Sequence, residues 1–184
     1  MSSPLRPARV GAFGAAAILT VILAGCATAA PTPAPSASPQ SDPVFATEEE
    51  ALAAAEEAYA EYLALGAEVA SDGGENAERM AAVTTGAALD QERQTFAGMR
   101  ERDQTGTGQQ EFDSFTLQNH DADGSVTAYL CLDISGTDLL DSNLQPVSPP
   151  DRIERYPLEV QFETAPDGKL VVSQSRSWSG ENFC

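Results

Sequence analysis

Between Thr47 and Ala70 the apolar side chains Leu52, Ala55, Tyr59, Tyr62 and Leu63 recur at helical spacing, while Glu56, Glu57, Glu61 and Glu68 fall mostly off that stripe. This period predicts an amphipathic helix over about Thr47–Ala70. Thr47, with Glu50 three residues on, reads as a capping box at its start. The acidic triplet Glu48-Glu49-Glu50 also suits the positive end of the helix dipole. Asp72-Gly73-Gly74 ends the helix. A shorter helix is predicted from about Glu75 to Val83, with Met80 and Val83 turned inward. A third is predicted from about Ala87 to Arg102, with Leu89, Phe96 and Met99 as its apolar face, and Thr105-Gly106-Thr107-Gly108 marks its exit.

Past this exit the pattern changes period. Phe112 to Asn119 predicts a strand whose alternation is imperfect, followed by an Asp121-Ala122-Asp123-Gly124 turn. Val126, Ala128, Leu130, Leu132 and Ile134 then alternate with Thr127, Tyr129, Cys131 and Asp133, the signature of a half-buried strand. A loop rich in Asp, Ser and Pro runs from Ser135 to Asp151, with a short hairpin predicted around Asp141-Ser142-Asn143. Tyr156, Leu158, Val160 and Phe162 share one face of the next strand, Arg155 to Glu163. After the Pro166-Asp167-Gly168 turn, Leu170, Val172, Gln174, Arg176 and Trp178 alternate with Val171, Ser173, Ser175 and Ser177, so the last two strands predict a hairpin.

The N-terminal segment has another character. Arg6 and Arg9 precede an uncharged, apolar run from Val10 to Ala24, which is the layout of an export signal (residues 1–25) and is shorter than the ~20 residues a spanning helix needs. The run closes on Leu23-Ala24-Gly25-Cys26, which resembles the lipobox of bacterial lipoproteins. The resemblance implies a diacylglyceryl group on the Cys26 sulfur, cleavage before Cys26, and a lipid-anchored protein on the extracytoplasmic side of the cell membrane. Two acyl chains suffice for stable anchoring. The rival reading is an uncleaved membrane anchor. From residue 26 to 43 the chain is Pro, Ala, Ser and Thr with little else, and Pro31, Pro33, Pro35, Pro39 and Pro43 deny it helix and sheet hydrogen bonds. It predicts an extended tether ahead of one folded domain over residues 44–184.

Charge narrows the partners. The chain holds 10 Lys and Arg against 28 Asp and Glu, a net −18, which becomes −20 once Arg6 and Arg9 leave with the signal. Such a surface repels polyanions, which excludes nucleic acid as an expected partner. The expected partners are the membrane, through the Cys26 lipid, and a protein at its outer face. With Cys26 assigned to lipid, Cys131 and Cys184 remain, and in an oxidising compartment such a pair forms a disulfide. A metal or redox pair is the competing reading, and the close C-x-x-C spacing it calls for is missing.

Three helices followed by about four antiparallel strands read as an α+β domain. The arrangement resembles the nuclear-transport-factor-2-like, or cystatin-like, fold, in which a long N-terminal helix lies in a curved antiparallel sheet. The chain looks like small actinobacterial lipoproteins with such domains, through Tyr59 with Tyr62-Leu63, Asp72-Gly73-Gly74, Tyr156-Pro157, and Trp178-Ser179-Gly180 ahead of Cys184. Members of that superfold are isomerases, dehydratases or interaction modules, so the fold does not supply a function.

Chemistry is sparse. The single histidine, His120, precedes a turn, and no nucleophile elbow, P-loop or dinucleotide fingerprint occurs, so no cofactor is expected. Asn119 to Gly124 resembles the start of a calcium loop, but position twelve is Leu130 where a bidentate Glu is needed, so no metal is expected. Isomerases of the resembled fold pair a Tyr donor with an acidic side chain in an apolar pocket, and Tyr59, Tyr62, Tyr129 and Asp133 are the candidates here. No catalytic residue is assigned. Two functions follow from different classes. One is a non-enzymatic binding or scaffolding domain at the membrane surface. The other is a small-molecule-binding or isomerase-like protein using the cone of the fold. A cone filled by Leu52, Tyr59, Phe96 and Phe162 favours the first, and an open one lined by Tyr and a carboxyl of raised pKa favours the second.

Overall fold

The computed structural model describes residues 44–184. The export signal, Cys26 and the 26–43 tether lie outside the described residues. Helix α1 spans Glu48–Ser71, and the Thr47 hydroxyl accepts from the Glu50 amide at 3.2 Å. The Glu50 carboxylate reaches back to the Ala46 amide at 2.9 Å, so the box closes one residue earlier than its usual form. At the far end the Gly73 and Gly74 amides bond the Ala70 and Val69 carbonyls at 3.0 and 2.8 Å, a Schellman closure that the positive φ of both glycines permits.

Residues 77–82 do not make the second α-helix the sequence predicts. They form a six-residue 3-10 helix, Ala77–Ala82, entered through Asn76 at φ 54° with no side-chain cap. So short a segment cannot repay α-helix nucleation, and the tighter turn serves to place Met80, which is fully buried. Helix α2 is Gly86–Glu101.

Six strands follow. They are β1 (Thr105–Thr107), β2 (Glu111–His120), β3 (Val126–Asp133), β4 (Asp138–Leu140), β5 (Arg155–Thr164) and β6 (Leu170–Ser177). Four form an antiparallel sheet in the order β2-β3-β5-β6, and β1 pairs antiparallel with β4 in a separate two-stranded sheet. The fold is α+β, with helices packed on one face of an antiparallel sheet.

Alternation sorts the sheet into an inner and an outer face. Val126, Ala128, Leu130 and Leu132 of β3 stand beside Phe162, Val160, Leu158 and Tyr156 of β5 on the inner face. Against them α1 buries Ala51, Ala55, Ala58, Tyr59 and Leu63, while Leu52 is only half-buried. The Tyr59 ring meets Phe112 edge-on at 5.1 Å between centroids and lies 6.5 Å from Phe162. A second cluster, Val69, Ala77, Met80, Phe96 and Met99, joins the end of α1 to the 3-10 helix and α2.

Two irregularities explain the imperfect patterns. In β2 the register slips between Asp113 and Thr116 and again between Leu117 and Asn119. The extra residues, with Ser114 at φ 54°, let Phe112, Phe115 and Leu117 all turn to the core. In β6 the register slips where Gln161 and Phe162 pair with Gln174 and Val172. Ser173 is the additional residue, so Leu170 and Val172 share the inner face with Ser175 and Ser177. Gln174 and Arg176, expected on the Leu170 face, stand on the other.

Candidate functional site

The two core clusters leave space between them. A cavity of about 700 Å³ opens there, bounded by α1, α2, the inner face of β5 and β6, and the small β1–β4 sheet. That volume lies in the range of small-molecule sites. Its apolar wall includes Leu63, Phe96, Met99, Leu132, Leu139 and Leu158. The β1 strand stands close to α1 because Gly106 has no side chain, and a Cβ there would lie 2.7 Å from that of Ala70. Arg152 pins the other strand's loop by donating to the Ile134 and Thr137 carbonyls at 3.0 and 2.5 Å and to the Ser148 hydroxyl at 3.2 Å.

The polar centre of the cavity is a tyrosine–carboxyl pair. The Tyr62 hydroxyl donates to Glu92 Oε1 at 2.5 Å, joining α1 to α2. Burial pushes the Glu92 carboxyl above the usual carboxylate range, against the opposing pull of the Tyr62 bond. Burial and then the nearby Glu92 charge hold the Tyr62 phenol well above its ordinary value. Tyr59 is raised too, by burial first, then by Tyr156 and Glu92, with Ser175 opposing. Tyr156, on β5, is raised by burial. These four groups are near enough for their charges to interact. Together they offer hydroxyl donors and one carboxyl to whatever enters.

Of the sequence candidates, Tyr59 and Tyr62 line this cavity, and Tyr129 and Asp133 do not. The latter two share the outer face of β3 with Cys131, because neighbouring residues of a strand point to opposite sides. There the Tyr129 ring lies 4.7 Å from Trp178 and 6.3 Å from Phe183. Asp133 accepts the Ser135 amide at 2.8 Å, and the Ser135 side chain first and this amide second hold its carboxyl below the ordinary value. Cys131 and Cys184 are joined at this face, with Cα atoms 5.7 Å apart. His120 ends β2 opposite Val126, and the Asn119–Gly124 carboxylates are spent on the hairpin turn, where Asp123 accepts the Ser125 amide at 2.9 Å.

Glu92, Tyr156 and Arg152 are functional candidates that the sequence reading missed. One signal for Glu92 was present. It sits three residues after Leu89 and four before Phe96, within the apolar stripe of α2, where a carboxyl is out of place. Tyr156 stands on the strand face that its alternation with Leu158, Val160 and Phe162 predicts.

No protein-family profile and no curated protein sequence matches the chain. Solved structures do. The intermembrane space region of the chloroplast protein ARC6 superposes with a TM-score of 0.51 at 13% identity, covering 70% of this chain and 97% of that one. A protein from Catenulispora acidiphila in complex with S-DNPA gives 0.43 at 13% identity, covering 67% and 92%, too low a score to carry weight. The ARC6 likeness concerns the fold alone.

Proposed function

We propose that the chain is an exported domain, lipid-anchored through Cys26 on the outer face of the membrane, that binds a small molecule between its helices and its sheet. The observation that carries this reading is the cavity of about 700 Å³ with the Tyr62–Glu92 pair inside it. Leu52, Tyr59, Phe96 and Phe162 do not fill the space. Leu52 is half-buried, and Phe96 belongs to the second cluster. An open cavity lined by tyrosines and a carboxyl of raised pKa therefore favours ligand binding over a pure scaffold. The long N-terminal helix against an antiparallel sheet supports placing the domain among nuclear-transport-factor-2-like folds. The same Tyr62–Glu92 pair suits acid–base work on a bound ligand, which keeps isomerase-like chemistry as the second reading. The export signal and lipobox support the location, and the Pro-rich tether supports a domain held clear of the lipid surface.

The test is native mass spectrometry of the full chain released from membranes. Wild type should retain a small-molecule adduct or gain one from a metabolite extract, and Ala67→Phe, which fills the cavity from α1, should lose it. Equal behaviour of the two proteins, with no adduct in either, would overturn the binding reading.

A further inference from the structure

Charged residues at the cavity border are Glu92, Asp138 and Arg152, with Arg176 beside them turning its side chain to the outer face of the sheet. Both cations are already engaged. Arg152 bonds two carbonyls and the Ser148 hydroxyl, with Glu154 3.8 Å away, and Arg176 is paired with Glu159 of the outer face. The Arg152 charge is offset by Glu154 and Asp138, and Arg176 faces away from the cavity. Asp138 accepts the Leu139 amide at 2.7 Å. Glu92 differs from all three. Its one side-chain partner is the Tyr62 hydroxyl, and no Lys or Arg among the described residues pairs with it. Glu92 is half-buried, and a carboxyl partly withdrawn from water without a cation is held at a cost that a ligand bringing the cation relieves. Tyr59 and Tyr62 reach the cavity from α1, and Tyr156 reaches it from β5. Tyrosine rings attract ammonium groups through their quadrupole. The excess of 28 acidic over 10 basic residues draws cations toward the domain and repels anions.

Resting on the small-molecule reading above, we infer that the cavity takes an organic cation, an amine or quaternary ammonium with an apolar body, whose positive centre sits beside Glu92 among the tyrosines. The apolar body lies against Leu63, Phe96, Met99 and Leu132. An anionic ligand finds no free counter-charge here. A neutral one leaves Glu92 as it is.

The charge of the ligand dictates a pH dependence. Around Glu92 the cavity wall carries Tyr59 and Tyr62 from α1, Tyr156 from β5, Asp138 from β4 and Arg152 from the loop after it, while Arg176 of β6 turns outward to Glu159. The tyrosines are shifted upward and a guanidinium stays charged, and with Glu92 shifted up and Asp138 down, Glu92 is the wall carboxyl that ionises at the higher pH. A cation favours its ionised form. Affinity for a cation therefore rises as pH climbs through the Glu92 titration and levels off above it.

The test uses the full chain and three matched probes in calorimetric titrations: (2-naphthylmethyl)trimethylammonium, its neutral tert-butyl isostere, and 2-naphthylmethanesulfonate. The ammonium should bind about tenfold more tightly than the neutral probe, and the sulfonate weakest. The preference should grow with pH, vanish in Glu92→Gln, and persist in Glu163→Gln, which removes an exposed carboxylate elsewhere. A neutral probe that binds as well as the ammonium overturns the cation inference and leaves the pocket standing. A preference that survives Glu92→Gln also overturns it, since attraction then comes from the surface at large. Failure of all three probes to bind overturns this inference, and when joined by an absent adduct in mass spectrometry it removes the binding reading too.

Discussion

Replacing Cys184 by Ser cuts the covalent link to Cys131 while leaving the buried partner's atoms in place. The two half-cystines are 53 residues apart in sequence, and the loop they close holds β4, β5 and β6. Chain-entropy arithmetic for a loop of that length gives about 4 kcal/mol of stability at room temperature, through restriction of the unfolded chain. This is a large share of the marginal stability of one small domain. With a urea slope of ~2 kcal/mol per molar, the unfolding midpoint should fall by about 2 M. Circular dichroism follows the whole domain. Trp178, the sole tryptophan, follows the segment that lies against Tyr129. Both signals should shift together in Cys184→Ser, and wild type treated with dithiothreitol should match it. A midpoint within about 0.5 M of wild type would refute the loop-entropy reasoning. A Trp178 change with an unchanged dichroism midpoint would show that the bridge only fastens the outer face.

Gly74 has φ 81°, and a Cβ there would lie 2.5 Å from the Phe96 carbonyl oxygen, so Gly74→Ala should cost at least ~1 kcal/mol and lower the melting temperature. Arg155 bonds Asp113 at 2.5 and 2.7 Å and holds its carboxyl down to about 2 from 3.8. A carboxyl depressed by folding contributes stability above its unfolded pKa and loses it as pH falls through the folded one. Between those two pH values wild type should therefore lose urea resistance faster than Asp113→Asn, and parallel curves would contradict the pairing. In Tyr62→Phe the bond that lowers the Glu92 pKa is gone, so the Glu92 carboxyl should titrate higher still, as read by carbon-13 NMR. A group raised by folding favours the folded state at low pH and loses that contribution as pH rises through the folded pKa, so the variant's loss should come at higher pH. Cys26→Ala should release the protein from membranes or leave an unprocessed precursor, and unchanged processing and partition would remove the lipid anchor.

The α+β class and most element positions were legible in the sequence because they rest on local periodicity. The capping residue Thr47, the Gly73-Gly74 stop and the alternation through β3 each act within a few residues, and each is visible in the order of side chains. What periodicity cannot supply is pairing. The β1–β4 sheet joins Thr105–Thr107 to Asp138–Leu140, two three-residue segments whose strand character exists only once they meet. Bulges are a property of two strands together, which is why Ser173 turned Gln174 and Arg176 away from the face their spacing suggested.

The site divides along the same line. Tyr59 and Tyr62 were readable as one helix face, but grouping them with Tyr129 and Asp133 needed knowledge of which side of β3 meets α1. The buried Val126–Leu132 face claimed the helix, since it carries the apolar area, and left Tyr129, Cys131 and Asp133 on the far side. Glu92 was visible in the sequence as a carboxyl in an apolar stripe. Its character came from packing, which set it against Tyr62, thirty residues earlier, and half-buried it without a cation. Side-chain order thus determined the elements and their faces, through interactions within a turn or a strand. Only the tertiary structure decided which faces met and what space remained between them, because a cavity is the remainder of a packing that spans the whole domain.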